Sequence, residues 1–182
     1  MASLPADTAM GPVELCVADA DGVRPFYTDV VGLEVLERGP YQLDLGVGDH
    51  VLARLHEDPN RPARPSAAAG LFHVALRVPE RSDLARAARR LRGADRLTGA
   101  SDHLVSEALY SRDPEGNGLE VYHDRPEENW ERTAEGGVHL PTWPLDLEAL
   151  VAAAPDDAGP LPPDTRVGHV HLEVTDLPAA EA

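Results

Sequence analysis

The chain has 182 residues and a formal net charge of −16, because 32 acidic residues face 16 basic ones, all of them arginine. This charge argues against a nucleic acid or an anionic membrane as partner, and the lack of lysine excludes a P-loop and Schiff-base chemistry. A single cysteine, Cys16, excludes an intrachain disulfide. Because no signal-peptide pattern or membrane-length apolar run is visible, we expect a cytoplasmic protein.

A repeat organises the chain. Three segments alternate apolar and polar residues as strands do: Val13–Val17, His73–Val78 and His169–Val174. A helical pattern follows the first two, at about 23–31 (ending at Gly32) and 82–92. Further strands are predicted at 33–38, 41–45 and 50–56, and then near Arg96, at 106–112 and at 119–124.

Each repeat therefore reads as a βαβββ unit. One unit leaves a sheet face bare, so we expect an α+β fold in which two paired units form a cupped mixed sheet with flanking helices. A partial third unit is expected after them. The predicted boundaries are an N-terminal tail (1–10), a domain (11–125) with units 11–60 and 70–125, a linker (126–164) with a short helix at 145–153, and the first strand of a truncated third unit (165–182).

The second unit carries the most specific motif, Asp113-Pro114-Glu115-Gly116-Asn117 followed by Glu120. With a histidine opening the unit and a glutamate closing it, the chain resembles the vicinal oxygen chelate superfamily, which includes glyoxalases, bleomycin-resistance proteins and extradiol dioxygenases. The resemblance covers about 11–124 and again 167–177. The layout is most similar to the four-unit proteins of the catechol-2,3-dioxygenase type.

The resemblance implies metal ligands at the starts of first strands and on fourth strands. His73, Glu120 and His169 fall on such positions. In the first unit, Pro12 replaces the histidine, and an alignment of Leu52 with Leu119 places Ala53 opposite Glu120. Neither Pro12 nor Ala53 can bind a metal through its side chain, and the partners of His169 are expected in a C-terminal half that follows.

The same resemblance assigns two catalytic candidates. Extradiol enzymes carry a histidine and a tyrosine ahead of the closing glutamate, and His103 and Tyr110 occupy such places here. A histidine is suited to act as a general base, and a tyrosine can donate a hydrogen bond to a developing anion.

The leading functional hypothesis is an extradiol ring-cleaving dioxygenase that uses Fe(II) or Mn(II), a small catechol-like substrate and O2. On this hypothesis the chain is mainly the non-catalytic N-terminal half. One alternative is a glyoxalase-like isomerase or lyase. The other is a metal-free small-molecule-binding module, which Pro12 and Ala53 favour. The exposed sheet edge expected at the third unit also suggests a homodimer.

Overall fold

A computed structural model describes residues 5, 8–62, 68–156 and 159–181. The elements in chain order are β1 (Val13–Val17), α1 (Ala20–Pro25, continued by a π-helical segment, Phe26–Val31), β2 (Glu34–Arg38), β3 (Gln42–Val47), β4 (His50–Glu57), β5 (Gly70–Arg77), α2 (Arg81–Gly93), β6 (Leu97–Asp102), β7 (Ser106–Arg112), β8 (Gly118–Asp124), a 3₁₀ turn (Glu127–Asn129), β9 (Trp143–Pro144), α3 (Leu147–Ala152), β10 (Arg166–Glu173) and α4 (Leu177–Ala180). None of the described helices is both long and apolar enough to cross a membrane.

The two repeats form two sheets. The first sheet has the order β1-β4-β3-β2, and the second has the order β10-β5-β8-β7-β6-β9. In each repeat the first and fourth strands run parallel and side by side, β1 with β4 and β5 with β8, while the other neighbours are antiparallel. The predicted α+β fold with two βαβββ units is confirmed. No strand ladder joins the two units among the described residues.

A shared apolar core holds the units together. One face of each sheet and the two long helices contribute to it, including the expected stripe Leu84, Ala87, Ala88 and Leu91 of α2. The opposite face of the second sheet carries a small separate cluster around Ala75, Ala108 and Tyr122. We call this second face the cup face. The candidate site lies on it.

The first helix begins earlier than its pattern predicts. Asp19 caps it by accepting a hydrogen bond from the backbone N–H of Gly22, so the helix starts at Ala20. Pro25 lies inside it, and the turns that follow widen to π-helical geometry, consistent with the backbone N–H that proline lacks. The helix ends where expected, at Gly32, whose φ of 97° is the left-handed conformation that favours glycine.

The segment after the second unit is more structured than a linker. The predicted short helix is present as α3, and its Leu150 is fully buried in the core. Trp143 and Pro144 pair with β6 as β9. The strand of the third unit, β10, pairs antiparallel with β5 and so extends the second sheet.

Candidate metal centre

Three neighbouring strands bring the predicted metal ligands together on the cup face. Glu120 on β8 and His169 on β10 both lie opposite Ala75 on β5, one on each side of it. His73 points to the same face because it is two residues before Ala75. Since Ala75 has only a methyl side chain, the floor between the three larger side chains is open.

The three side chains converge on one point. His73 Nε2 lies 2.8 Å and His169 Nε2 lies 3.4 Å from Oε2 of Glu120. One ligand atom from each residue falls within 4.8 Å of the others. His73 is 5% exposed, and neither of its ring nitrogens has a partner in hydrogen-bonding geometry despite the short distance to the carboxylate.

This donor set fits a divalent cation. A buried imidazole without a hydrogen-bond partner is costly, and a metal ion would satisfy it. Two histidines and one carboxylate on one face leave other coordination positions open, which is the ligand set typical of non-haem Fe(II) oxygenases.

Glu120 is ionised in this environment. Burial alone would raise its pKa, but the imidazoles of His169 and His73 beside the carboxylate outweigh burial and lower the pKa to about 2. The carboxylate therefore has the charge state that a metal ligand needs.

The two catalytic candidates, His103 and Tyr110, form a hydrogen-bonded pair beside these ligands. Nε2 of His103 lies 2.9 Å from the hydroxyl of Tyr110, and Nδ1 of His103 lies 2.7 Å from the carbonyl oxygen of Pro141. A carbonyl can only accept, so Nδ1 carries a proton. When the ring is neutral, Nε2 accepts from the hydroxyl of Tyr110. Burial, helped by the charge of Glu120, raises the pKa of Tyr110 to about 12. Tyr110 therefore holds its proton at neutral pH.

One cavity of about 540 Å³ contains all five predicted residues. Its volume suits a small organic ligand. Its lining is mostly aromatic, apolar or hydroxyl-bearing, and the full set is Phe72, His73, Thr98, Ser101, His103, Ser106, Tyr110, Ser111, Arg112, Gly118, Leu119, Glu120, Tyr122, Leu140, Thr142, His169 and His171.

Sequence reasoning missed the contribution of residues 126–164. This stretch was expected to be a linker, yet Leu140 and Thr142 line the cavity and Pro141 fixes His103. The residues that reach the site, 140–142, carry no strand or helix signal. The group that contacts His103 is a backbone carbonyl, and the strand that follows, β9, has only two residues.

The corresponding face of the first unit is closed by an ion pair. Glu14 lies opposite Arg54 as Ala75 lies opposite Glu120, so Arg54 and not Ala53 occupies the position of Glu120. The predicted alignment was off by one residue because β4 contains a bulge near Leu52. Arg54 donates two hydrogen bonds to the buried carboxylate of Asp44, at 2.8 and 2.7 Å.

The Asp-Pro-Glu-Gly-Asn motif itself is structural. Asp113 accepts hydrogen bonds from the backbone N–H of Glu115 and Asn117 and from the hydroxyl of Tyr27 in the first unit. Glu115 accepts from the backbone N–H of Ala18 and from Arg61. The motif therefore shapes the turn before β8 and joins the two units.

Comparisons with known proteins agree with this fold. The family model for the glyoxalase/bleomycin resistance protein/dioxygenase superfamily matches residues 9–121. A catechol-2,3-dioxygenase of Bacillus subtilis (strain 168) is 40% identical over 185 residues, covering 100% of this chain and 65% of that protein. The chain thus spans about two thirds of the length of this relative.

Solved structures share the fold at lower identity. A glyoxylase/bleomycin resistance protein/dioxygenase domain from Frankia sp. EAN1pec is 24% identical, with a TM-score of 0.55 over 66% of this chain and 94% of that one. The cppA protein from Streptococcus pneumoniae TIGR4 is 14% identical, with a TM-score of 0.54 over 75% of this chain and 60% of that one. With two βαβββ units, the family motif in place and a matching family model, the chain belongs to the glyoxalase/bleomycin resistance protein/dioxygenase superfamily.

Proposed function

We propose that this chain holds the metal centre of an extradiol-type dioxygenase, with His73, His169 and Glu120 as ligands of Fe(II) or Mn(II) and a catechol-like diol and O2 as substrates. The observation that carries the proposal is the convergence of these three side chains. One of them, the buried imidazole of His73, has no hydrogen-bond partner. The 40% identity to a catechol-2,3-dioxygenase supports the same reaction class.

The metal would bring the diol oxygens and O2 into contact, and the chain would manage the protons. Tyr110 lies opposite Glu120 on the neighbouring strand, and its ring centroid is 5.7 Å from that of His73. A substrate hydroxyl beside Tyr110 can pass its proton to the tyrosine oxygen while the tyrosine proton moves to Nε2 of His103. The resulting imidazolium keeps its Nδ1–H on the carbonyl of Pro141.

The expectation of a mainly non-catalytic half came from the resemblance, which places the working metal, and with it the partners of His169, in a C-terminal half that follows. The pairing of β10 with β5 gives His169 two partners, His73 and Glu120, and so favours a metal centre within these residues. The metal-free alternative rested on Pro12 and Ala53. Both belong to the first unit, whereas the three ligands come from the second sheet.

The test is metal loading followed by turnover. The protein is loaded anaerobically with Fe(II), dialysed, analysed for metal per chain and then mixed with catechol and air. We expect about one metal per chain and a ring-cleaved product, both lost in His73→Ala. The matched control is His56→Ala, because His56 also pairs with a glutamate, Glu14 at 2.8 Å, but lies in the first sheet.

The outcomes separate the alternatives. No retained metal, or equal metal loss in both variants, would contradict the proposed centre. Retained metal without ring cleavage, together with isomerisation of a thiol–aldehyde adduct, would support the glyoxalase-like alternative instead.

A further inference from the structure

The cavity contains one arginine among its described lining residues, Arg112 at the end of β7. Arg112 lies opposite Gly118 on β8, and a Cβ added to Gly118 would come within 3.0 Å of the Cβ of His73. Arg112 and His73 therefore flank Gly118 on the cup face. Because Gly118 has no side chain, the space between the guanidinium and the metal ligands is open.

The guanidinium of Arg112 is held in place but its charge is not neutralised. Nη1 donates a hydrogen bond to the carbonyl oxygen of Gly116 at 3.0 Å, and Cζ lies 5.7 Å from the centroid of the Phe72 ring. Among the described residues no carboxylate pairs with Arg112, although most of the other described arginines have one. The donors on Nε and Nη2 remain available to a ligand in the cavity.

The rest of the cavity wall suits an aromatic ring. Phe72, Tyr122 and Leu140 all line the cavity, and Leu140 is 63% exposed. A net charge of −16 would repel a small anion from most of the surface, so a site for an anion needs a local cation. Arg112 supplies that cation at the edge of the cavity.

We infer that Arg112 binds an anionic substituent of the substrate, so that the preferred ligand is a carboxylated aromatic diol. The aromatic-diol part of this inference rests on the proposed function. The anionic part rests on Arg112 alone. A guanidinium fork with two available donors matches the geometry of a carboxylate.

The test compares two ligands of the same size, 3,4-dihydroxybenzoate and 3,4-dihydroxybenzamide, which differ in charge. Binding is measured by calorimetry on the metal-free protein and again on the Fe(II)-loaded protein without air. We expect the carboxylate to bind about tenfold more tightly than the amide, which is the typical size of one charge-assisted contact. Added salt should reduce this preference.

Three variants locate the effect. Arg112→Gln should weaken carboxylate binding about tenfold and leave amide binding unchanged, whereas Arg112→Lys should keep part of the preference because it keeps the charge. Arg132→Gln is the matched control, since Arg132 also lies over an aromatic ring, Trp130 at 5.8 Å, but outside the cavity. It should change neither affinity.

Equal binding of the two ligands, binding of neither, or an equal loss of both in Arg112→Gln would overturn the inference. A carboxylate preference without ring cleavage by the Fe(II)-loaded protein would uphold the inference and contradict the dioxygenase. Cleavage of the amide and the carboxylate with equal kcat/KM, and no difference in binding, would contradict the inference and support the dioxygenase.

Discussion

His73 is buried on β5, and neither of its two ring nitrogens has a hydrogen-bond partner. Burial of an imidazole without hydrogen-bond partners lowers the stability of the folded protein, unless a ligand binds the ring. Ligand binding and stability are therefore coupled at this residue.

The coupling gives a prediction for metal addition. Mn(II) at about 100 times its Kd should raise the free energy of unfolding by about 2.7 kcal/mol, because the ion binds the folded state. Glu120→Gln should abolish most of this gain, since the variant loses the ligand charge. Urea unfolding with and without Mn(II) measures this gain in the free energy of unfolding. Glu14→Gln is the control, and a similar loss of the gain in that variant would argue against the site.

A second prediction at this scale concerns the ion pair that closes the first unit. The hydrogen bonds from Arg54 lower the pKa of Asp44 against the effect of burial. A lowered folded-state pKa gives stability that is present above the unfolded value and lost as pH falls through the folded value. Asp44→Asn should therefore destabilise the protein by about 1–3 kcal/mol at neutral pH, and the difference should shrink below about pH 4.

Urea unfolding of both proteins at several pH values checks this. A difference between wild type and Asp44→Asn that does not change from neutral to strongly acidic pH would mean that the charge of Asp44 does not contribute.

At the site, the sequence predicts residues whose position depends on local pattern. His73 opens a clear strand and Glu120 follows a specific motif. The sequence could not show that His169 lies beside these two residues, because the pairing of β10 with β5 is a long-range contact with no local signal. The prediction that Ala53 would occupy the position of Glu120, where the structure has Arg54, failed for a local reason. A bulge in a strand shifts every later residue to the other face.

At the scale of elements, the pairing of β5 with β8 positions the ligands. Gly118 allows this pairing, because a Cβ there would run into the backbone carbonyl oxygen of Phe72. The two strands would have to separate around any larger residue. His73 and Glu120 would then lose their register.

We therefore expect Gly118→Ala to destabilise the protein by about 1–3 kcal/mol and to weaken metal binding. Thermal unfolding and metal titration are the measurements. Gly93→Ala at the end of α2 is the control, because a Cβ there meets nothing within 4 Å. The expectation fails if Gly118→Ala binds metal as tightly as wild type.

The elements were predictable to the extent that they are periodic. The helix pattern at 145–153 corresponds to α3 at Leu147–Ala152, and the weak strand signal near Arg96 corresponds to β6 at Leu97–Asp102. The two residues of β9 have no period to detect, so their place beside β6 becomes visible only once the sheet has formed.

At the scale of the whole molecule, Glu115 connects the two units. Its carboxylate accepts hydrogen bonds from the backbone of Ala18 and Asp19 and from Arg61, all close to the first unit. The side chain is only 16% exposed, so these bonds lie largely out of water. The turn before β8 thus depends on a contact far away in sequence.

Glu115→Gln should destabilise the protein by about 1–3 kcal/mol, because the amide cannot accept all of these charge-assisted bonds. Metal affinity should stay close to that of wild type, since Glu115 does not line the cavity. Urea unfolding and metal titration test the two halves of the prediction. A loss of metal affinity as large as that in Glu120→Gln would show that the units are coupled through the site.

The homodimer expected from the sequence remains a prediction. β10 is the outermost strand of the second sheet, and Leu172 on it is 55% exposed. Light scattering at several protein concentrations measures the oligomeric state. A monomer at all of them would contradict the expectation.

The contact between His103 and Pro141 has a consequence for how this protein can diverge. The group that orients His103 is a main-chain carbonyl, and every amino acid has one. Position 141 can therefore accept other residues over evolutionary time without losing the acceptor, as long as the length and path of the backbone persist. Among relatives position 141 should therefore vary in residue identity, whereas insertions and deletions near it should be tolerated poorly.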